Sequence, residues 1–175
     1  MTKLKRKFRA LPLLALCLVA VGGAATFAQK HMAVAAIDAR PEVQMTLTGS
    51  VERGGEQVAL DKSGAVKPGE ILRWNIVSAN EGTGEAREYK AVGRVPQGTS
   101  FVAGSAAAEA GTTVTYSIDG GKTFSTQPVI EEKQPDGSVK RVPAPVSMYT
   151  EVRYEWSDAL AAGSKVSASY KVRVK

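Results

Sequence analysis

Lys165-Val166-Ser167-Ala168-Ser169-Tyr170-Lys171-Val172-Arg173-Val174-Lys175 alternates apolar and polar side chains. In an extended chain successive side chains point to opposite faces. Val166, Ala168, Tyr170, Val172 and Val174 therefore share one face, and four cations and two serines share the other. The stretch 149–156 reads the same way, with Val152, Tyr154 and Trp156 opposed to Glu151, Arg153 and Glu155. Strands with one dry and one wet face belong to a sheet packed on a second sheet.

Working back from these two strands, the same period recurs. Val43, Met45, Leu47 and Val51 fall on one face of a first strand, followed by a polar stretch with Gly54-Gly55. Lys67-Pro68-Gly69-Glu70 reads as a turn, since proline presets φ and glycine supplies positive φ. A strand over 71–80 puts Leu72, Trp74 and Ile76 together, and Asn80-Glu81-Gly82-Thr83-Gly84 breaks it. Positive φ at Asn80 and Gly82 is the expected reason. A strand over 86–95 follows, with Tyr89, Ala91 and Val95 inward, and Pro96-Gln97-Gly98 closes it. Phe101 and Val102 start a short segment ending at Gly104-Ser105. Two hairpins come next, one from 112–118 through Asp119-Gly120-Gly121 back to Phe124, the other over 129–142 around Pro135-Asp136-Gly137. Asp-Gly supplies the positive φ that a tight hairpin needs. The second hairpin carries Glu131, Glu132, Lys133, Lys140 and Arg141 and is expected in solvent. The pattern predicts an all-β, immunoglobulin-like antiparallel sandwich of seven or eight strands over residues 43–175.

The first residues differ. Lys3, Lys5, Arg6, Lys7 and Arg9 precede an apolar run over 11–21, then Gly22, Gly23, Ala24 and Ala25, with Thr26 and Ala28 at spacing suited to a cleavage site. That is the pattern of a secretory signal peptide, and the apolar run is shorter than the ~20 residues of a membrane span. Residues 1–28 are read as the signal, cleaved after Ala28, with cleavage after Ala25 as the alternative. Leu16 before Cys17 is not the small residue that a lipoprotein signal requires, so Cys17 reads as part of the apolar run. Residues 29–42 are read as a tether.

Cleavage changes the charge argument. The whole chain carries 23 basic and 17 acidic residues, a net of +6. Five of the basic residues lie in the signal, leaving 18 against 17, or +1. Nucleic-acid binding thereby loses its electrostatic support. The mature chain has no cysteine and so no disulfide.

In their order and spacing, Pro68-Gly69-Glu70, Asn80-Glu81-Gly82-Thr83-Gly84, Val95-Pro96-Gln97-Gly98-Thr99, Gly104-Ser105, the 149–156 strand and Leu160-Ala161-Ala162-Gly163 resemble the prokaryotic conserved repeat domain. This is domain-of-unknown-function family eleven, found on exported envelope proteins. The resemblance covers residues 43–175. It implies an immunoglobulin-like domain and no catalytic residues. Members often carry Asp where this chain has Gly93, and often occur in tandem where this chain has one copy. Ser117-Ile118-Asp119-Gly120-Gly121-Lys122-Thr123-Phe124 also resembles the Asp-box hairpin of sialidase-type propellers. There the Ser and Asp hold the turn, so the match implies structure rather than hydrolysis. One copy makes no propeller.

Chemistry-bearing residues are sparse. The single histidine, His31, falls in the tether, and Asp61, Asp119 and Asp136 lie in turns without the dense spacing of a calcium loop. No metal site and no cofactor are expected. The folded region has neither His nor Cys to build a nucleophile–base pair. Glu131 and Glu132 are strand neighbours and point apart. Trp74 and Trp156 are in core phase, and Phe101 and Tyr149 are the only aromatics expected on loops. The sequence therefore leads to a non-enzymatic exported domain of the periplasm or cell surface, with a structural or protein-binding role and an envelope protein or polymer as partner. Recognition would use loops at one end or an exposed sheet edge. A carbohydrate-binding or adhesin-type module and a carboxylate enzyme acting on envelope polymers are the alternatives.

Overall fold

The computed structural model describes residues 39–175. The signal with its cleavage site, Cys17, His31 and residues 29–38 of the tether lie outside the described residues. Eleven strands form: β1 (Val43–Arg53), β2 (Glu56–Ala59), β3 (Ile71–Asn80), β4 (Lys90–Arg94), β5 (Thr99–Phe101), β6 (Ala107–Ala108), β7 (Thr112–Ser117), β8 (Val129–Lys133), β9 (Val139–Pro143), β10 (Glu151–Trp156) and β11 (Lys165–Val174). The only helical element among the described residues is a 3₁₀ turn at Val146–Met148. Eight strands have five residues or more; β2, β5 and β6 are shorter edge pieces.

All pairings are antiparallel. The larger sheet has the order β2-β1-β3-β11-β5, with β6 also on β11. The smaller is β4-β10-β7, and β8-β9 stand as a separate hairpin. The alternation seen in the sequence decides which side chains meet. Leu72 and Ile76 of β3 and Ala168, Tyr170 and Val172 of β11 face Ala91, Val152, Tyr154 and Trp156 of the smaller sheet, all buried in one cluster. Two core tyrosines bridge the layers: Tyr154 Oη donates to Ser169 O (2.8 Å) and Tyr170 Oη to Arg94 O (2.6 Å). The chain is thus an all-β antiparallel sandwich. In the immunoglobulin constant arrangement the last two strands are neighbours in one sheet. Here β10 and β11 lie in different sheets, and β11 sits at the centre of the larger one.

Several local expectations are corrected. Asn80 and Gly82 do not have positive φ. Asn80 is buried and works through its amide: Nδ2 donates to Gly84 O (2.7 Å) and Leu160 O (2.9 Å), while Oδ1 accepts from Glu42 N (3.0 Å) and Gly82 N (3.1 Å). Gly82 is required for space, since a Cβ there would strike the backbone of residues 40–42. The strand expected from Ala86 begins only at Lys90, because Arg87 and Glu88 turn and Glu88 takes φ 50°. Ala86 makes an isolated bridge to Leu160. Gly54-Gly55, read as part of a polar stretch, is a two-residue hairpin turn with φ 61° and 85° joining β1 to β2. The returning limb at Phe124 forms one bridge, Tyr116 to Ser125, rather than a strand. Residues 39–42, assigned to the tether, are tied to the 80–84 loop by Glu81 N–Glu42 O (2.7 Å) and Thr83 N–Arg40 O (3.0 Å).

Candidate functional site

The acidic turns are structural. Asp119 accepts from Lys122 N (3.1 Å), Thr123 N (3.0 Å), Thr123 Oγ1 (2.7 Å) and Ser117 Oγ (2.7 Å). Those donors, above all Thr123, hold its carboxyl well below the usual carboxylate range. Asp136 accepts from Ser138 Oγ (2.6 Å) and N (2.9 Å), which lowers its pKa as well. Asp61 is exposed in the turn after β2. No group of three metal-ligating side chains occurs among the described residues. Glu131 and Glu132 are exposed on β8, and Glu131 lies 3.6 Å from Arg141 across the hairpin. Phe101 is not a loop platform. It is buried, packing edge-on to Tyr116 (5.3 Å) and near Tyr149 (5.7 Å). Trp156 is buried and stacked on Tyr89 at 5.5 Å, and Trp74 is half-buried.

The outer face of the larger sheet holds two shallow troughs of about 590 and 580 Å³ that share Thr48 and Asn75. Their walls are mostly Thr, Ser, Asn and Ala, with Gly49, Ile76 and Val77 and with Arg73, Gln57 and Glu109. Glu109 already accepts from Ser167 N (3.0 Å) and Oγ (3.1 Å). Such a surface offers hydrogen bonds and no acid–base pair.

A different feature follows from the unequal layers. On the inner face of the larger sheet the register forms rows, Met45–Ser78–Val166 and Leu47–Ile76–Ala168. Ser78 and Ile76 are 0% and 1% exposed, whereas Met45 and Leu47 are 53% and 49% exposed. The smaller sheet covers β3 and β11 and stops short of β1. Further along, Leu60 and Trp74 fold over Gly49, where a Cβ would lie 2.5 Å from Leu60, and Val51 is fully buried. A groove of about 250 Å³ runs along this boundary, lined by Leu47, Trp74, Val92, Arg94, Pro96 and Tyr170. Burial pushes the Tyr170 phenol up to about 12, so it stays a neutral donor to Arg94 O at ordinary pH.

β4 forms the rim of the groove and is an edge strand. Its odd-numbered residues exchange hydrogen bonds with β10, as Val95 N–Thr150 O (2.9 Å) and Trp156 N–Tyr89 O (3.2 Å) mark at either end. The backbone N–H and C=O of Lys90 and Val92 therefore point away from β10. Among the described residues nothing bonds them. Val92 is 40% exposed between Lys90 and Arg94. The sequence reading named none of these as site residues. Val92, apolar on the phase of two cations, was the available signal; the exposure of Met45 and Leu47 depends on the width of the opposing sheet and had none. Compared with known proteins, the chain matches no family model, no curated protein and no solved structure.

Proposed function

We propose that this is an exported, non-enzymatic β-sandwich domain that binds another protein at the cell envelope. The observation that carries the reading is the uncovered apolar strip of β1 beside the unpaired edge of β4. Contiguous exposed apolar surface of this kind marks an interaction site, and an open strand edge supplies main-chain hydrogen bonds to a partner. The signal-like first 28 residues supply the compartment, and the resemblance to the conserved repeat domain supports an envelope setting. Among the described residues the carboxylates with lowered pKa are already held, Asp119 and Asp136 by their own turns and Glu70 by Arg53 and the Lys67 amide, and so lend no support to the enzyme alternative. The carbohydrate-binding alternative loses support at the two aromatics expected on loops: Phe101 is buried, and Tyr149 is half-buried and stacked on Tyr116 at 4.8 Å.

Fractionation of the native protein with an intact-mass reading of its N-terminus tests this. A start at Gln29, recovery with the envelope and cross-links to a defined protein are expected. An uncut, cytoplasmic chain would overturn it.

A further inference from the structure

We infer that the open edge of β4 accepts an extended strand from a partner protein with acidic residues flanking an apolar segment, in the pattern acid–apolar–x–apolar–acid. The inference rests on the protein-binding reading above and names its site and the chemistry of its ligand.

The smaller sheet is one strand too narrow. A fourth strand added outside β4 would lie over β1, where Met45 and Leu47 are half exposed, and would pair with the outward backbone groups of Lys90 and Val92. Period two then fixes what that strand must carry. Positions opposite Ala91 and Gly93 point inward, onto Met45 and Leu47, and call for apolar side chains. Positions opposite Lys90 and Arg94 point outward and meet cations.

β10, the existing partner of β4, already follows this rule. Glu151 lies opposite Arg94, Val152 opposite Gly93, Tyr154 opposite Ala91 and Glu155 opposite Lys90. The ion pairs on that side are loose, at 3.5 Å for Arg94–Glu151 and 3.5 Å for Lys90–Glu155. Arg94 and Lys90 keep 86% and 49% side-chain exposure, so both can meet a second carboxylate on the open side. The same two cations argue against a second copy of this chain. An antiparallel β4–β4 pairing centred on Val92 would place Lys90 against Arg94 of the copy, and like charges directly opposite are destabilising.

The test uses the purified exported chain and a blocked heptapeptide, Thr-Glu-Val-Thr-Tyr-Glu-Thr. Chemical shifts of Met45, Leu47 and the β4 amides should move together on titration. A peptide with Lys for both Glu should bind at least tenfold more weakly. Val92→Pro removes only an outward N–H, which an edge strand tolerates, and should abolish binding with an unchanged circular-dichroism spectrum. If that variant does not fold, the two peptides still decide the matter on the native chain. Equal binding of both peptides, shifts confined to other faces, or no binding at millimolar peptide would overturn the inference. So would concentration-dependent dimerisation that perturbs β4, which would assign the edge to a second copy. Failure here with envelope cross-links intact would leave the protein-binding reading standing and move the contact elsewhere.

Discussion

Gly93 lies directly beneath the ring of Tyr170, and a Cβ there would overlap that ring. The ring cannot retreat without breaking the bond from Tyr170 Oη to Arg94 O. Glycine at position 93 thus has a steric cause that no local reading of the sequence contains. Gly93→Ala should cost about 1–3 kcal/mol, the usual range for overpacking a full core, as a lowered urea midpoint at unchanged slope. Asn80 is the other decisive residue. Asn80→Ala would leave the Gly84 carbonyl and the Glu42 and Gly82 amides without their side-chain partner, while the Leu160 carbonyl keeps its bond from Ala86 N (2.9 Å). A loss of about 1–3 kcal/mol is expected, because a buried group stripped of its partner bears a desolvation penalty, and proteolysis near residue 40 should accelerate. Glu88 works in the opposite sense. Its φ of 50° suits glycine, and Glu88→Gly should raise stability by up to about 1 kcal/mol, since a left-handed conformation is strained for other L-residues.

At the scale of elements, the 60–70 connection depends on one ion pair. Arg53 donates to Glu70 through Nε (2.8 Å) and Nη2 (3.0 Å), and to the carbonyls of Ser63 (2.5 Å) and Ala65 (3.0 Å). Glu70 also accepts from Lys67 N (2.6 Å), closing the Pro68-Gly69 turn. The Arg53 bond, then the Lys67 amide, lower the Glu70 pKa from 4.5 to about 2. A carboxylate with a depressed pKa stabilises the fold fully above its unfolded value and loses that contribution as pH falls. The loop should therefore stay ordered at pH 5 and loosen between about 4.5 and 2, read from the amide shifts of residues 63–70. Arg53→Met should loosen it at neutral pH. Elements with strict alternation were legible from the sequence: β3 occupies the 71–80 stretch it was read from, and β10 and β11 bury the faces assigned to them. What was hidden depends on partners distant in sequence, such as the bridge from Ala86 to Leu160 in place of a full strand.

Across the whole molecule, the unequal widths of the two layers set the exposed surface. The β8–β9 hairpin pairs with neither sheet. Pro128 and Ala144 close its base through Ala144 N–Pro128 O (2.8 Å). Replacing residues 129–143 by a short Gly-Ser link should leave the melting temperature within a few degrees, because little core is removed. The two-layer class was readable in the alternation of single strands, but the number of strands in each layer is a property of pairing. Met45 and Leu47 therefore looked like core and lie half in solvent. The most direct measurement is backbone amide hydrogen exchange along β4 in the free protein. The expected result is alternation: slow exchange at Ala91 and Gly93, bonded to β10, and fast exchange at Lys90 and Val92. Protection at Val92 equal to that at Gly93 would mean that the edge is already covered, and would contradict the open sandwich on which the binding site depends.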